Sequence, residues 1–530
     1  MSKEIETLPT SKTKTTSLTQ GLTRNTIFNL TGWILPIGIS ILSVPFIVKS
    51  LGNDAYGVFA IVSIVAGYLG LLNGPVAMGN VRFMAEAFAH EQWSDLFEAL
   101  ATGLIINVSL SALGGLIMFF SAEVLARKVF AIPPALVASA VTVFRLAALS
   151  FFLNGVAGTL ESIPTAMRRY DILNLVGLFV GTLNTVAIVL ALWWGWGLLG
   201  AVLAQVLSSV LGLVLFSIAG WMLLRKFSGS RRRSLVSATF IKRLAGFSSL
   251  LFAGQITATI GLQIDRTLVG ILLGTSAVTF YTVPNKITGQ IPGMMSSFST
   301  TLYPLSSEAV ATGKVDELCH LYHEMIRILL WASAFAAALL IILTKDFLTL
   351  WMGNDFMVHS WLVLAILAAG VVWRSSGSVA YQVCNGMGRA DINLLASIGT
   401  LVFLAVPVLI LAPRWGVPGV ALGVFIGLFM TNLAYDLFTQ RKLLGVKSWR
   451  ESLMPYVRAI MAEAGTAVFF YLLPVHFTGW VGLLAKAGLI SCLFIGLSLV
   501  TGALVVRDIK FIVGKLSRLY SLIQVRRVHG

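Results

Sequence analysis

Apolar runs of about 20 to 25 residues dominate the chain, each closed by a short polar stretch. They predict spans near 26–48, 56–78, 98–120, 134–157, 171–192, 197–220, 244–268, 277–302, 323–343, 360–383, 392–411, 416–437, 453–473 and 479–503, fourteen in all. At about 1.5 Å per residue each can cross a hydrocarbon layer of ~30 Å, with surplus length taken up by tilt. Barrel strands would alternate apolar and polar positions over ~10 residues, so uninterrupted runs predict an all-α polytopic membrane protein. Residues 1–24 are rich in Thr, Ser and Lys and lack the apolar core of a signal peptide, which predicts a short disordered tail. Near the other end, Ile509, Ile512, Leu516, Leu519 and Ile523 recur at helical spacing beside Lys510, Lys515, Arg518 and Arg526. That pattern predicts an interfacial amphipathic helix over 508–527.

Composition excludes the usual soluble classes. Charged residues are 11% and hydrophobic residues 57% of 530 positions, whereas a soluble domain carries roughly 25% charged residues. Cys319, Cys384 and Cys492 show neither a pairing framework nor metal-ligand spacing, and the six histidines, His320 and His323 among them, show no ligand spacing either. No P-loop, HxxxH or nucleophile elbow occurs, so no cofactor, metal or covalent chemistry is expected. The net charge of +16 would suit nucleic acid if it formed one patch, but its placement gives another reason. With a cytoplasmic amino terminus, the outward gaps hold only Lys49, Arg127, Lys128, Lys345 and Arg414 as basic residues. The inward segments hold Arg225, Lys226, Arg231, Arg232, Arg233, Lys242 and Arg243, then Arg441, Lys442, Lys447 and Arg450. This positive-inside bias places both termini in the cytoplasm and turns the basic loops toward anionic membrane lipids, not nucleic acid. Trp193, Trp194, Trp196, Trp415 and Trp480 fall at span ends, where indole rings favour the interface.

A repeat appears at a shift of about 220 residues. Leu51-Gly52-Asn53-Asp54-Ala55 with Phe59 returns as Leu273-Gly274-Thr275-Ser276-Ala277 with Tyr281. Glu86-Ala87 returns as Glu308-Ala309, Arg169-Tyr170-Asp171 as Arg389-Ala390-Asp391, and Trp196-Gly197 with Gly200 as Trp415-Gly416 with Gly419. Spans one to six therefore match spans seven to twelve, and an even number gives both copies the same orientation. The expected body has two pseudo-twofold-related six-helix lobes, 25–225 and 244–438, joined by a basic cytoplasmic linker over 226–243. Two additional helices follow over 452–503. The repeated glycines read first as tight-turn positions.

Ionisable groups at mid-span are costly and normally face a wet cavity or a partner. By depth these are Arg145, Arg266, Lys286, Arg374 and Lys486, against only Asp265 and Glu463 among acids. A cleft lined by such cations suits an anion, because guanidinium matches phosphate oxygens with paired hydrogen bonds. For each cation the alternative is a structural bond to a neighbouring helix, and for Lys486 simple snorkelling. Arg24, Asn25 and Asn29 share one helical side at the mouth of the first span, placed either to meet a head group or to anchor the helix.

The segment from Asn25 to Glu86, with Asn29, Gly32-Trp33, Pro36, Pro45-Phe46-Ile47, Leu51-Gly52, Ala55-Tyr56-Gly57, Leu71, Gly79 and Arg82 to Glu86, resembles the polysaccharide-transporter branch of the multidrug/oligosaccharidyl-lipid/polysaccharide exporter superfamily. Members are Wzx-type flippases, with two six-helix lobes and two extra helices. The resemblance implies an inner-membrane flippase for undecaprenyl-diphosphate-linked glycan in O-antigen, capsule or exopolysaccharide synthesis. A polysaccharide polymerase and a chain-length regulator are the implied partners. The resemblance also implies that cavity Arg and Lys residues hold the diphosphate and acidic sugars. Arg145, Arg266, Lys286 and Arg374 are this chain's candidates by depth and not by a motif match, Arg24 and Asn29 by their place at the mouth of the first span, and Asp265 and Glu463 are the ion-coupling candidates. The lipid-II flippase branch has an Arg-Asp pair early in the first span where this chain has Arg24-Asn25. The rival reading is a cation-coupled multidrug antiporter, which requires acidic groups in one cavity with the arginines turned away.

Overall fold

The computed structural model describes residues 38–230, 238–473 and 479–504, and every regular element within them is helical. Arg24, Asn29, the amino-terminal tail, the 231–237 part of the linker and the 508–527 segment lie outside the described residues. The first elements are α1 (Gly38–Leu51), α2 (Asn53–Leu69), α3 (Gly74–Ala89), α4 (Trp93–Val124), α5 (Pro134–Ala166), α6 (Tyr170–Trp193) and α7 (Gly197–Leu224). There follow α8 (Ala238–Leu273), α9 (Thr275–Thr288), α10 (Gln290–Ser299), α11 (Leu302–Thr312), α12 (Val315–Trp351), α13 (Asn354–Gly386) and α14 (Ala390–Phe438). The last are α15 (Trp449–Leu472) and α16 (Gly479–Thr501).

Ten helices among the described residues are long and apolar enough to cross a membrane, four fewer than the fourteen expected, and each difference has a local cause. The described part of the first span is the short helix Gly38–Leu51. The eighth expected span, 277–302, is divided into α9 and α10 and ends where α11 begins. Around that end the Ser299, Thr300 and Thr301 hydroxyls donate to the carbonyls of Ser296, Ser297 and Phe298 at 2.8–2.9 Å, competing with the helical ladder. The eleventh and twelfth spans follow one another directly within α14 as two helical halves that meet at a kink, where Gly416 (φ 61°, ψ −140°) is non-helical. Finally, α15 carries Arg450, Glu451, Arg458 and Glu463, charges that set it apart from a wholly apolar span.

The repeat landmarks adopt matching local geometry. Gly52 (φ 80°) and Gly274 (φ 85°) precede α2 and α9, a backbone region in which any residue with a Cβ is strained. Arg169 and Arg389 each precede a helix and hold Asp171 and Asp391, respectively, by Nη2–Oδ2 contacts of 2.9 Å. Gly197 and Gly416 share φ near 60°.

The chain forms two compact units. One contains Val76–Leu113 and Leu149–Leu244 with the described residues up to Ser50. Its core packs Met84, Leu96 and Ile163. Within it Asn80 donates to Ser162 at 3.0 Å and Asn107 to Thr159 at 2.7 Å, so helices α3, α4 and α5 are joined by polar as well as apolar contacts. The other unit contains Leu51–Pro75, Gly114–Ala148 and the chain from Ala245. There α12, α13 and α14 pack side by side, and α15 and α16 pack on α12. The fully buried Asp436 of α14 accepts from Tyr322 of α12, from Tyr456 of α15 at 2.8 Å and from Gln440 at 2.6 Å. Lys486 of α16 pairs with Asp346 of α12 at 2.7 Å.

Candidate functional site

Within the second unit, α8 and α9 run antiparallel about the Gly274 turn, and Asp265 of α8 faces residues 281 and 285 of α9. These two positions are four apart and share one helical face. Asp265 is 3% exposed. Its Oδ2 accepts from the Tyr281 hydroxyl at 2.8 Å and from Asn285 Nδ2 at 3.1 Å, while Oδ1 accepts from the Arg266 backbone N–H at 2.8 Å. The carboxylate is thus held by neutral donors alone among the described residues.

Three cations lie near the side chains that hold it. Arg266 is half-buried, and its Nε is covered without a hydrogen-bond partner. Its charge acts on the hydroxyls of Tyr56 and Tyr281 and on the Lys286 ammonium. Arg374 of α13 is half-buried, also acts electrostatically on Tyr281, and lines a cavity of about 20 Å³ with Asn285, Thr288, Pro292 and Gly370. Lys286 is exposed, one residue beyond Asn285. No carboxylate among the described residues forms an ion pair with any of the three. Gln263 Oε1 and Thr282 Oγ1, on the same two helices, are also covered and without partners. Uncompensated charge is expensive to bury, and a cluster of this kind is chemically complementary to an anion with several oxygens.

The structure therefore brings together Asp265, Arg266, Lys286 and Arg374. Arg145 is elsewhere: it is exposed on α5 and sits over the Phe119 ring, 5.1 Å from its centroid, with Phe120 of α4 also exposed. Glu463 is half-buried on α15, whose main packing partners are α12 and α16. It has no hydrogen bond or ion pair among the described residues. Lys486 is tied down by Asp346, not merely snorkelling.

Sequence reasoning missed the neutral members Tyr281 and Asn285. A signal existed: Phe59 of the first copy is Tyr281 in the second, a hydroxyl added where one copy is apolar. Also missed was a contact between the starts of the two copies. Asp54 Oδ1 accepts from Thr275 Oγ1 and from Ser276 Oγ at 2.6 Å, and Thr279 Oγ1 donates to the Asn53 carbonyl at 2.6 Å. Beneath these bonds α2 lies on α9 so closely that a Cβ at Gly57 would strike the Thr275 carbonyl.

Comparison with known proteins adds independent information. The family model described as "Polysaccharide biosynthesis protein" matches residues 22–310. The chain is 20% identical over 413 residues to the "Putative O-antigen transporter" of Shigella flexneri, covering 75% of this chain and 93% of that protein. It is 24% identical over 334 residues to "Uncharacterized membrane protein EpsK" of Bacillus subtilis (strain 168), covering 62% of this chain and 65% of EpsK, slightly under two thirds of its length. Among solved structures, the lipid II flippase MurJ in an inward closed conformation is similar with a TM-score of 0.68 at 10% identity, over 91% of this chain and 99% of MurJ. An inward-facing MATE multidrug transporter gives 0.63 at 17% identity, over 80% and 99%. At these identities the structural likeness speaks for the fold.

Proposed function

The chain belongs to the polysaccharide biosynthesis protein family, and on that premise we propose that it is a flippase for undecaprenyl-diphosphate-linked oligosaccharide. It moves repeat units from the cytoplasmic to the outer leaflet of the inner membrane, for O-antigen, capsule or exopolysaccharide assembly. The proposed body has fourteen spans in two six-helix lobes plus two helices, with both termini cytoplasmic. A polymerase and a chain-length regulator work downstream.

The observation that carries this reading is the set of three cations, Arg266, Lys286 and Arg374, left unpaired around Asp265. In the proposed cycle the polyprenyl tail stays in lipid while the diphosphate and sugars enter the protein, so the charge never crosses bare hydrocarbon. Arg266 and Arg374 offer paired N–H donors to phosphate oxygens, and Lys286 adds a point charge at the exposed side. Asp265 orients Tyr281 and Asn285 and keeps the cluster from carrying the full charge of three cations. Rocking of the lobes then exchanges access, with no covalent bond changed. Arg145 does not join these three, being exposed on α5 beside Phe119 and sharing no contact with them among the described residues. Asp265 and Glu463 remain the carboxyl groups through which an ion gradient would act. The likeness to multidrug transporters extends to the fold, but arginines beside Asp265 disfavour an organic cation there.

The test uses proteoliposomes of defined orientation with fluorescent undecaprenyl-diphosphate oligosaccharide in one leaflet and an impermeant quencher outside. The expected result is protein-dependent, time-dependent quenching of the lipid-linked glycan, and no movement of a cationic dye under a pH gradient. Dye movement without glycan movement would give the chain to the antiporter class.

A further inference from the structure

The turn joining α14 to α15 has chemistry that the flippase reading does not use. After Phe438 the helix widens into a single π turn over Thr439–Leu443, then reverses at Gly445 (φ 73°) before Ser448 caps α15. It is rigidly framed, because Leu444 N–H donates to the Thr439 carbonyl at 3.1 Å and Val446 N–H to the Gln440 carbonyl at 3.0 Å, and Leu444 and Val446 are 5% and 7% exposed. Asp436, with Tyr322, Tyr456 and Gln440, supports it from beneath.

On this frame Arg441 lies over the Trp449 ring, 3.9 Å from its centroid, while Trp449 itself is 56% exposed. Arg441 Nη1 is covered and has no hydrogen-bond partner, and no carboxylate among the described residues pairs with this arginine. Lys442, Lys447 and Arg450 are exposed and equally without an ion pair there, against one acid in the turn, Glu451. Topology accounts for cations at this level of the chain but not for their arrangement. Some other basic groups near helix ends are neutralised locally, Arg169 by Asp171 and Arg389 by Asp391 at 2.9 Å and Lys314 by Glu317 at 3.1 Å. Lys128 and Arg168 stand without an ion pair among the described residues, but singly and not as a cluster on an indole. An arginine laid on an indole with its charge left open is poised for phosphate oxygens. The interfacial Trp and the flanking lysines place that phosphate at head-group depth.

We infer that the α14–α15 turn, with Arg441 and Trp449 at its centre and Lys442, Lys447 and Arg450 around them, is a binding site for the phosphate of an anionic glycerophospholipid. The bound head group bridges the end of α14 to the start of α15 and so clamps the additional helices to the helices they pack on. This site is separate from Arg266, Lys286 and Arg374 and does not depend on the cargo.

Native mass spectrometry of the purified full chain tests it, with phosphatidylglycerol, phosphatidylcholine and undecaprenyl diphosphate added in turn. The expected result is retention of phosphatidylglycerol over phosphatidylcholine, reduced about fivefold for each cation neutralised in Arg441→Gln, Lys447→Gln and Arg450→Gln. Arg389→Gln should leave retention unchanged. The two exposed substitutions carry the test if Arg441→Gln does not fold. Equal retention of both phospholipids, or retention indifferent to all three substitutions, would overturn the site. Displacement of phosphatidylglycerol by equimolar undecaprenyl diphosphate, abolished by the same substitutions, would overturn the phospholipid assignment and give the turn to the cargo.

Discussion

At Asp265 a buried carboxylate has neutral donors bonded to it and cations near it but not bonded. Replacing it with Asn keeps the size but leaves the Tyr281 hydroxyl facing an amide in place of an anion. Asp265→Asn should therefore lower stability by about 1–3 kcal/mol, read as a fall in the unfolding temperature in detergent. Arg168 gives the opposite sign. It is exposed with φ 56°, and its counterpart in the second copy is Gly388 at φ 74°. Arg168→Gly removes a left-handed penalty and should stabilise by about 1 kcal/mol, by the same measurement. The sequence made Arg266, Lys286 and Arg374 visible because mid-span charge is rare and expensive. It could not separate them from Arg145, since depth is set by position along a helix but facing is set by neighbours. Phe119, the neighbour that engages Arg145, is distant in sequence. Tyr281 and Asn285 escaped because a neutral polar residue in a span has many ordinary uses.

Among the elements, the pair α2 and α9 shows what the repeat was for. The two copies of the Leu-Gly turn do more than start helices: their first residues bond to each other through Asp54, Thr275 and Ser276. Gly57 allows the approach. Gly57→Leu should force α2 from α9, and a cysteine placed by Ser276→Cys should then react at least severalfold faster with an impermeant maleimide than in the Gly57 background. Unchanged labelling would mean that the contact is not set by Gly57. Element boundaries were less legible than their existence. Hydropathy sums over the Ser-Thr-rich stretch 296–301 without registering that its hydroxyls bond back to carbonyls, so the end of α10 was not legible there. At Trp415-Gly416 the expected interruption is present, since the non-helical Gly416 (φ 61°, ψ −140°) separates the two halves of α14.

For the molecule as a whole, the all-helical class was legible because only helices satisfy the backbone over such long apolar runs. The attachment of the two last helices was not, since it rests on contacts across more than a hundred residues. Asp436, Tyr322 and Tyr456 join α12, α14 and α15 far from water. Tyr456→Phe should cost about 1–3 kcal/mol, because a buried acceptor loses a donor. Lys486→Ala should cost less, about 0.5 kcal/mol, since Asp346 keeps 42% of its side chain exposed. A larger loss for Lys486 than for Tyr456 in thermal unfolding would reverse this ranking of the two anchors. The central claim is that the unpaired cations carry the anionic head group across the membrane. Its most direct test is the transbilayer rate of undecaprenyl-diphosphate oligosaccharide in proteoliposomes for wild type, Arg374→Ala and Arg374→Lys. Losing a charge-assisted contact should slow Arg374→Ala by about tenfold to hundredfold, with Arg374→Lys between it and wild type because charge survives without the paired donors. A folded Arg374→Ala protein that moves the glycan at the wild-type rate would contradict the account.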